Sequence, residues 1–92
     1  MDVATIVWTG YVKYRARMRG FDLEKVEQIV RHSAERYMDS ATGRFVAIGM
    51  HDKNLVTIPY EREGNTLAPV PIHVTSRQQI NFRVKSERLR HE

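Results

Sequence analysis

His73, Arg77, Arg83 and Tyr60 are the residues of this chain whose types suit one chemistry together, the cutting of RNA. The 2′-hydroxyl of RNA attacks its own phosphate when three needs are met. A base of near-neutral pKa takes its proton, cations steady the phosphorane charge, and an acid protonates the leaving oxygen. Histidine has the intrinsic pKa for the first task. Arg77 and Arg83 can clamp the phosphate as planar forks, and Tyr60 can orient or donate if a bulge suggested by Pro59 turns it outward. Plainer readings stand beside this one. A strand histidine can be a satisfied surface residue, Tyr60 by simple parity belongs to the core, and Arg77 and Arg83 do not share a helical face. Helical geometry groups Arg77, Asn81, Lys85 and Arg88 better, as a phosphate track or as a solvated face.

The stretch from Val70 to Arg90 has to position these groups. Up to Thr75 it alternates, with Val70, Ile72 and Val74 on one face of an extended strand and Pro71, His73 and Thr75 on the other. Ser76 and Gln79 then form an S-x-x-Q capping box that starts a helix. A strand running straight into a helix start gathers a histidine, a hydroxyl, an arginine and a positive helix end, a combination that can hold phosphate. A basic closing strand and helix that only complete the core fit the same letters. Beyond Ser86 the tail is either helical or loose, since Ile80 to Val84 also alternates like a strand.

From the start of the chain, Val3 to Trp8 reads as a β-branched and aromatic strand. Residues 11 to 19 alternate cations with Tyr14, Ala16 and Met18, as a strand would. Yet Tyr11, Tyr14 and Met18 also fall at i, i+3 and i+7, and Gly20 sits where a helix stops, so a helix is expected. Asp22 then caps a second helix, with Phe21 stapled to Val26 and an apolar stripe of Leu23, Val26, Ile29 and Val30. Three further runs follow. Glu35 to Met38 is a short strand ended by Asp39 to Gly43. Arg44 to His51 puts Val46, Ile48 and Met50 on one face and Phe45, Ala47 and Gly49 on the other. After a turn at Asp52 to Asn54, Leu55 to Tyr60 is another strand, and Pro59 implies an edge or a bulge. A turn from Glu61 to Asn65 leads into the run from Leu67 to Thr75.

The expected order is β-α-α-β-β-β-α, an α+β fold with the helix pair packed on one face of an antiparallel sheet. If Val46, Ile48, Val56, Ile58, Ile72 and Val74 face those helices, His73 and Thr75 look out from the opposite face, which is left free for a ligand.

At 92 residues the chain is expected to be one domain over 1–92, burying somewhat over ~60% of its unfolded surface. Its 41% hydrophobic and 28% charged residues point to a folded chain and not a disordered one. There is no cysteine, which removes disulfides and thiolate metal sites and fits a reducing compartment. His32, His51, His73 and His91 lack H-x-x-x-H and H-x-H spacing, so neither a zinc site nor another cofactor is expected. Glycine-rich phosphate loops and nucleophilic serine arrangements find no support either. No apolar run approaches the ~20 residues of a membrane span, and Met1 to Ala4 lacks a basic signal-peptide start, so a cytoplasmic, membrane-free protein is the expectation.

The formal net charge is +4, with arginines outnumbering lysines eleven to four, and arginine suits bidentate phosphate contact. Lys13, Arg15, Arg17 and Arg19 form one acid-free cluster, and residues 77 to 90 form another with five basic residues and one acid. Such polarity favours nucleic acid or an acidic protein as partner.

The segments R-A-R-M-R-G-F-D-L-E-K-V (15 to 26), F-V-A-I-G-M-H-D-K-N-L-V (45 to 56) and I-H-V-T-S-R-Q-Q-I-N-F-R (72 to 83) resemble the BrnT-type branch of the RelE superfamily of toxins. The motif residues that match are Arg19-Gly20, Gly49 and Thr75-Ser76-Arg77, and the likeness in element order covers nearly the whole chain. The resemblance implies a RelE-like fold and a small ribonuclease, free or ribosome-dependent, that blocks translation and is held inactive by a co-encoded acidic antitoxin through which it can oligomerise. It places Arg77 where the family's helix-start arginine stands, whereas His73 has no secure counterpart. Lys13, Arg15, Arg17, Arg19, Thr75, Asn81, Lys85 and Arg88 are then candidate RNA contacts, and the first four could equally meet the antitoxin's acids. Two further readings stay open: a non-catalytic basic module that grips an acidic protein or RNA, and a plain structural subunit.

Overall fold

A computed structural model describes residues 4–92 of the chain. Val3, the expected start of the first strand, lies outside the described residues. The elements are β1 (Thr5–Ile6), α1 (Gly10–Met18), α2 (Leu23–His32), β2 (Arg36–Asp39), β3 (Phe45–His51), β4 (Asn54–Glu63), β5 (Thr66–Pro69), β6 (His73–Val74), α3 (Arg77–Lys85) and β7 (Leu89–His91). They form an α+β fold with one seven-stranded sheet in the order β1-β5-β4-β3-β2-β7, and β6 lies beside β4 off that path. The sheet is mixed and not purely antiparallel as expected, because β1 runs parallel to β5. Hairpin reversals from β2 to β5 set the direction of β5, and β1 adds to its free edge in the same sense. Among the described residues no helix is long and apolar enough to cross a membrane.

Local chemistry explains the helix pair. Thr9 caps α1 by accepting from the Val12 N–H at 3.2 Å, and Gly20, at φ 76°, supplies the left-handed turn that ends it. Asp22 caps α2 by accepting from the Glu24 N–H at 2.8 Å. At the other end of α2, Arg36 donates to the Ser33 carbonyl at 2.9 Å and also to the Val30 carbonyl, placing a cation on the negative helix end. Val26 and Val30 are wholly buried, each contributing about 1.5–3 kcal/mol relative to exposure. Where α2 crosses β3, a Cβ on Gly49 would stand 2.7 Å from Cγ2 of Ile29. Here glycine permits the close approach of helix and sheet.

The sheet has two unequal faces. Val26 and Val30 of α2 and Ala16 of α1 pack on Ala47, Val56, Ile58, Tyr60, Leu67 and Ile72. The other face holds a smaller cluster in which Ile80 of α3 meets Tyr37, Val46, Ile48 and Leu89. Val46 and Ile48 therefore face α3, not the helix pair with Val56 and Ile58 as expected. Their register explains it: Ala47 pairs with Ile58 and Ile48 with Thr57, so odd residues of β3 share a face with even residues of β4. The far face, expected to be bare, is partly covered by α3.

The run from Leu67 to Thr75 is two strands, not one. Pro69 and Pro71 interrupt it, since neither can donate to a ladder. Ile72 is buried with the helix pair, while Val74 is 56% exposed. Pro59 is in the middle of β4, away from any edge. It sits where the neighbour of β4 changes from β6, paired at Val56 and Thr57, to β5, paired from Tyr60 onward, and its carbonyl accepts from the Val70 N–H at 2.9 Å. Tyr60 keeps the strand alternation and points into the closed core at 3% exposure, so no bulge turns it outward. The tail also resolves: α3 stops at Ser86, Glu87 takes the left-handed conformation at φ 64°, and residues 89–91 pair with β2 as β7.

Candidate functional site

Because α3 covers the far face only through Ile80 and Val84, part of the sheet there is left open and floors a groove of about 740 Å³. Val46, Thr57 and Pro59 form the floor. Arg83 and Gln79 of α3 stand on one wall, with His73 and Thr75 nearby. α1 adds Tyr11 and Arg15. Toward β2, Asp39, Arg44 and Arg88 complete the lining.

β6 aims His73 into this groove. His73 pairs with Thr57 across the β4–β6 ladder, so it shares the face on which the floor lies. Partial burial of the imidazole pushes its pKa down from the usual histidine value, and the positive charges of Arg19, Arg15 and Arg83 push it the same way. Both effects favour the neutral imidazole, the form that can accept a proton. Arg15 donates to the Tyr11 hydroxyl at 2.9 Å and lies over that ring at 5.7 Å. Among the described residues neither Arg15 nor Arg83 is in an ion pair, so both keep their charge available to a ligand. Arg19 donates to the Ile72 carbonyl at 3.4 Å, which holds it behind β6.

Arg77 and Arg88 of the closing segment, and Arg44 before it, are engaged by carboxylates. Arg88 forks onto Asp39 at 2.7 and 3.1 Å, and this partner holds the Asp39 carboxyl below the usual range. Arg44 reaches Glu61 at 3.4 Å. Arg77, the residue that the family likeness singles out, turns away from the groove and binds Glu35 at 2.6 Å. Glu35 also accepts from the Tyr37 hydroxyl at 2.7 Å. The Arg77 hydrogen bond, against the effect of burial, lowers the Glu35 pKa, while burial and then Glu35 push Tyr37 up to about 12. Arg77 therefore ties the start of α3 to β2.

Of the proposed acid–base set, the groove gathers His73 and Arg83 but neither Arg77 nor Tyr60. Tyr60 accepts from Arg36 at 2.9 Å and stacks on Phe45 at 5.7 Å inside the closed core. The stripe Arg77, Asn81, Lys85 and Arg88 is also broken. α3 ends at Lys85, Asn81 and Lys85 are exposed outside the groove, and Arg88 answers to Asp39. Of the α1 cluster only Arg15 lines the groove; Lys13 and Arg17 are exposed outside it, and Arg19 caps the end of the helix. The expected capping box is half made: Ser76 accepts from the Gln79 N–H at 3.1 Å, but the Gln79 side chain accepts from the Thr75 hydroxyl at 3.0 Å.

Tyr11, Thr57 and Gln79 belong to the groove and were not among the site residues expected from sequence. The alternation of β4 could have marked Thr57, but only the β4–β6 register sets it opposite His73. Among the described residues no three His, Asp or Glu side chains converge as a metal-ligand group. No family model, curated protein or solved structure matches the chain, and its groove has to be read from its own residues.

Proposed function

We propose that the protein is a RelE-like, BrnT-type toxin that cleaves RNA in this groove without a metal and so inhibits translation. The observation that carries the proposal is that His73 lines the groove together with Arg15 and Arg83, two guanidiniums in no ion pair among the described residues. In this reading His73 takes the proton of the 2′-hydroxyl as its oxygen attacks the neighbouring phosphorus. The bond from phosphorus to the 5′-oxygen breaks, that oxygen takes a proton from water, and a 2′,3′-cyclic phosphate is left. Arg15 and Arg83 steady the charge that builds on the phosphoryl oxygens. The RelE-like reading draws support from Arg19-Gly20 at the end of α1, from Gly49 in β3 beneath α2, and from Thr75-Ser76-Arg77 opening α3. Its partners would be RNA, on or off the ribosome, and an acidic antitoxin protein.

The test is incubation of pure protein with RNA, alone and with ribosomes, in a chelator. Cyclic-phosphate ends that vanish in His73→Ala but persist in Tyr60→Phe are the expected result. Undiminished cleavage by His73→Ala would remove the assignment.

One observation favours a second reading, a non-catalytic module that grips an acidic protein. Lys13 and Arg17 are exposed on α1 alongside Tyr14 and Met18, which are 58% and 66% exposed. Salt-sensitive binding of an acidic partner, with no RNA turnover, is its signature.

A further inference from the structure

We propose that the groove takes RNA as an unpaired single strand, with Tyr11 and Phe82 as platforms on which two bases stack on either side of the phosphate held at His73. The inference rests on the ribonucleolytic reading of the groove and adds to it the form of the substrate and two residues that bind it.

Three observations lead there. First, two of the large aromatics on the surface border the cationic track. Tyr11 is 59% exposed and Phe82 70% exposed, although leaving a ring of this size in water forgoes a large apolar gain. Second, the main groove does not end at α3. Gln79, Arg83 and Arg88 also line a second depression of about 500 Å³ that carries Phe82, so Arg83 is shared between the His73 floor and the Phe82 ring. Third, Tyr11 is held ready for stacking: the Arg15 guanidinium lies over its ring at 5.7 Å and bonds its hydroxyl. One groove thus holds a ring beside a guanidinium (Tyr11 and Arg15), the His73 imidazole, and a second guanidinium, Arg83, that it shares with the depression carrying the Phe82 ring. An alternation of flat apolar faces with phosphate-binding cations is how single strands are gripped, because every base has a stacking face once it leaves a duplex. In a duplex those faces are covered by neighbouring base pairs, and Tyr11 and Phe82 would have nothing to meet.

The probe is a fluorescein-labelled RNA of about ten nucleotides carrying 2′-fluoro groups, which removes the attacking hydroxyl so that binding is read without cleavage. Anisotropy at low salt is expected to show the single strand binding at least about tenfold more tightly than the same strand annealed to its complement. Tyr11→Ala and Phe82→Ala should each weaken single-strand binding about tenfold. Tyr11→Phe should retain affinity, and Tyr14→Ala, equally exposed on α1 but off the groove, should change nothing. Thermal unfolding of each variant verifies that these surface changes leave the fold intact. Equal affinity for duplex and single strand, or indifference to both alanine variants, overturns the inference; so does a loss that follows Tyr14 and Met18 instead, the pattern of an acidic protein partner. Cleavage of the matching ribose strand separates this idea from the reading beneath it. Platform-dependent binding without any cleavage keeps the platforms and removes the nuclease. His73-dependent cleavage with unchanged KM in both alanine variants keeps the nuclease and removes the platforms.

Discussion

The sheet presents the same backbone to two helical coverings, and the two faces differ in almost everything else. Under α2 the apolar stripe is wide, β3 and β4 approach the helix closely enough to require Gly49, and Tyr60 has its hydroxyl bound by Arg36 inside a closed core. Under α3 the contact is one fully buried isoleucine with Val84 beside it, and Thr57 and Pro59 are left to floor an open groove. The difference teaches why two tyrosines, Tyr60 and Tyr11, have opposite roles despite similar chemistry. It also explains two arginines of one helix: Arg77 is spent on fastening α3 to Glu35, and Arg83 is left for a ligand.

The largest test of this contrast is catalytic. His73→Ala on the open face should lower the single-turnover cleavage rate about 10²–10⁴-fold with little change in Tm, whereas Tyr60→Phe on the closed face should leave the rate near wild type. A substantial Tm loss in His73→Ala would place the imidazole in the scaffold and blur the two faces. Next in size, Gly49→Ala should destabilise by about 1–3 kcal/mol, because the new methyl meets a branched side chain at β3. Urea unfolding measures this, and a neutral result would show that α2 can lift off the sheet freely.

A smaller effect concerns the charges around His73. Its pKa is depressed in the folded protein, so the contribution to stability is intact above the unfolded value near 6.5 and is lost as pH falls through the folded one. The acid limb of the pH–rate profile should likewise lie below 6.5. Arg83→Gln and Arg15→Gln should each move the limb upward, as an NMR titration of the imidazole would also show; an unmoved limb would mean that these guanidiniums do not face it. Arg77→Ala should lower Tm by less than Gly49→Ala, since much of that pair is exposed to solvent, and should leave the acid limb where it was. The smallest change is a gain: Glu87→Gly relieves a left-handed residue at the end of α3 and should raise Tm by about 3–5 °C.

Much of the scaffold was legible beforehand because its signals are local. Asp22 and Ser76 cap the helices that they were expected to cap, Gly20 stops α1, and Asp52 turns the hairpin at φ 54°. The Tyr11, Tyr14, Met18 spacing correctly predicted a helix, yet the stripe it traced is exposed, and Val12 and Ala16 are the residues that pack. The site was harder to read, since His73 and Arg83 were singled out together with Arg77 and Tyr60, and nothing in their spacing separates the pairs. Glu35 and Arg36, which claim Arg77 and Tyr60, lie far from both in sequence.

What the sequence determined by itself is the three helices and the strands β2, β3 and β4, with their caps and turns, and a cationic, cysteine-free composition, because such signals depend on neighbours within a turn or two of chain. Only the tertiary structure decided which face each strand residue meets, where the sheet is left uncovered, and which arginines are engaged by carboxylates. Those outcomes follow from strand register and from pairings across the fold: one residue of shift between β3 and β4 sends Val46 and Ile48 to the opposite face from Val56 and Ile58, and a distant carboxylate can claim a guanidinium that nothing local restrains.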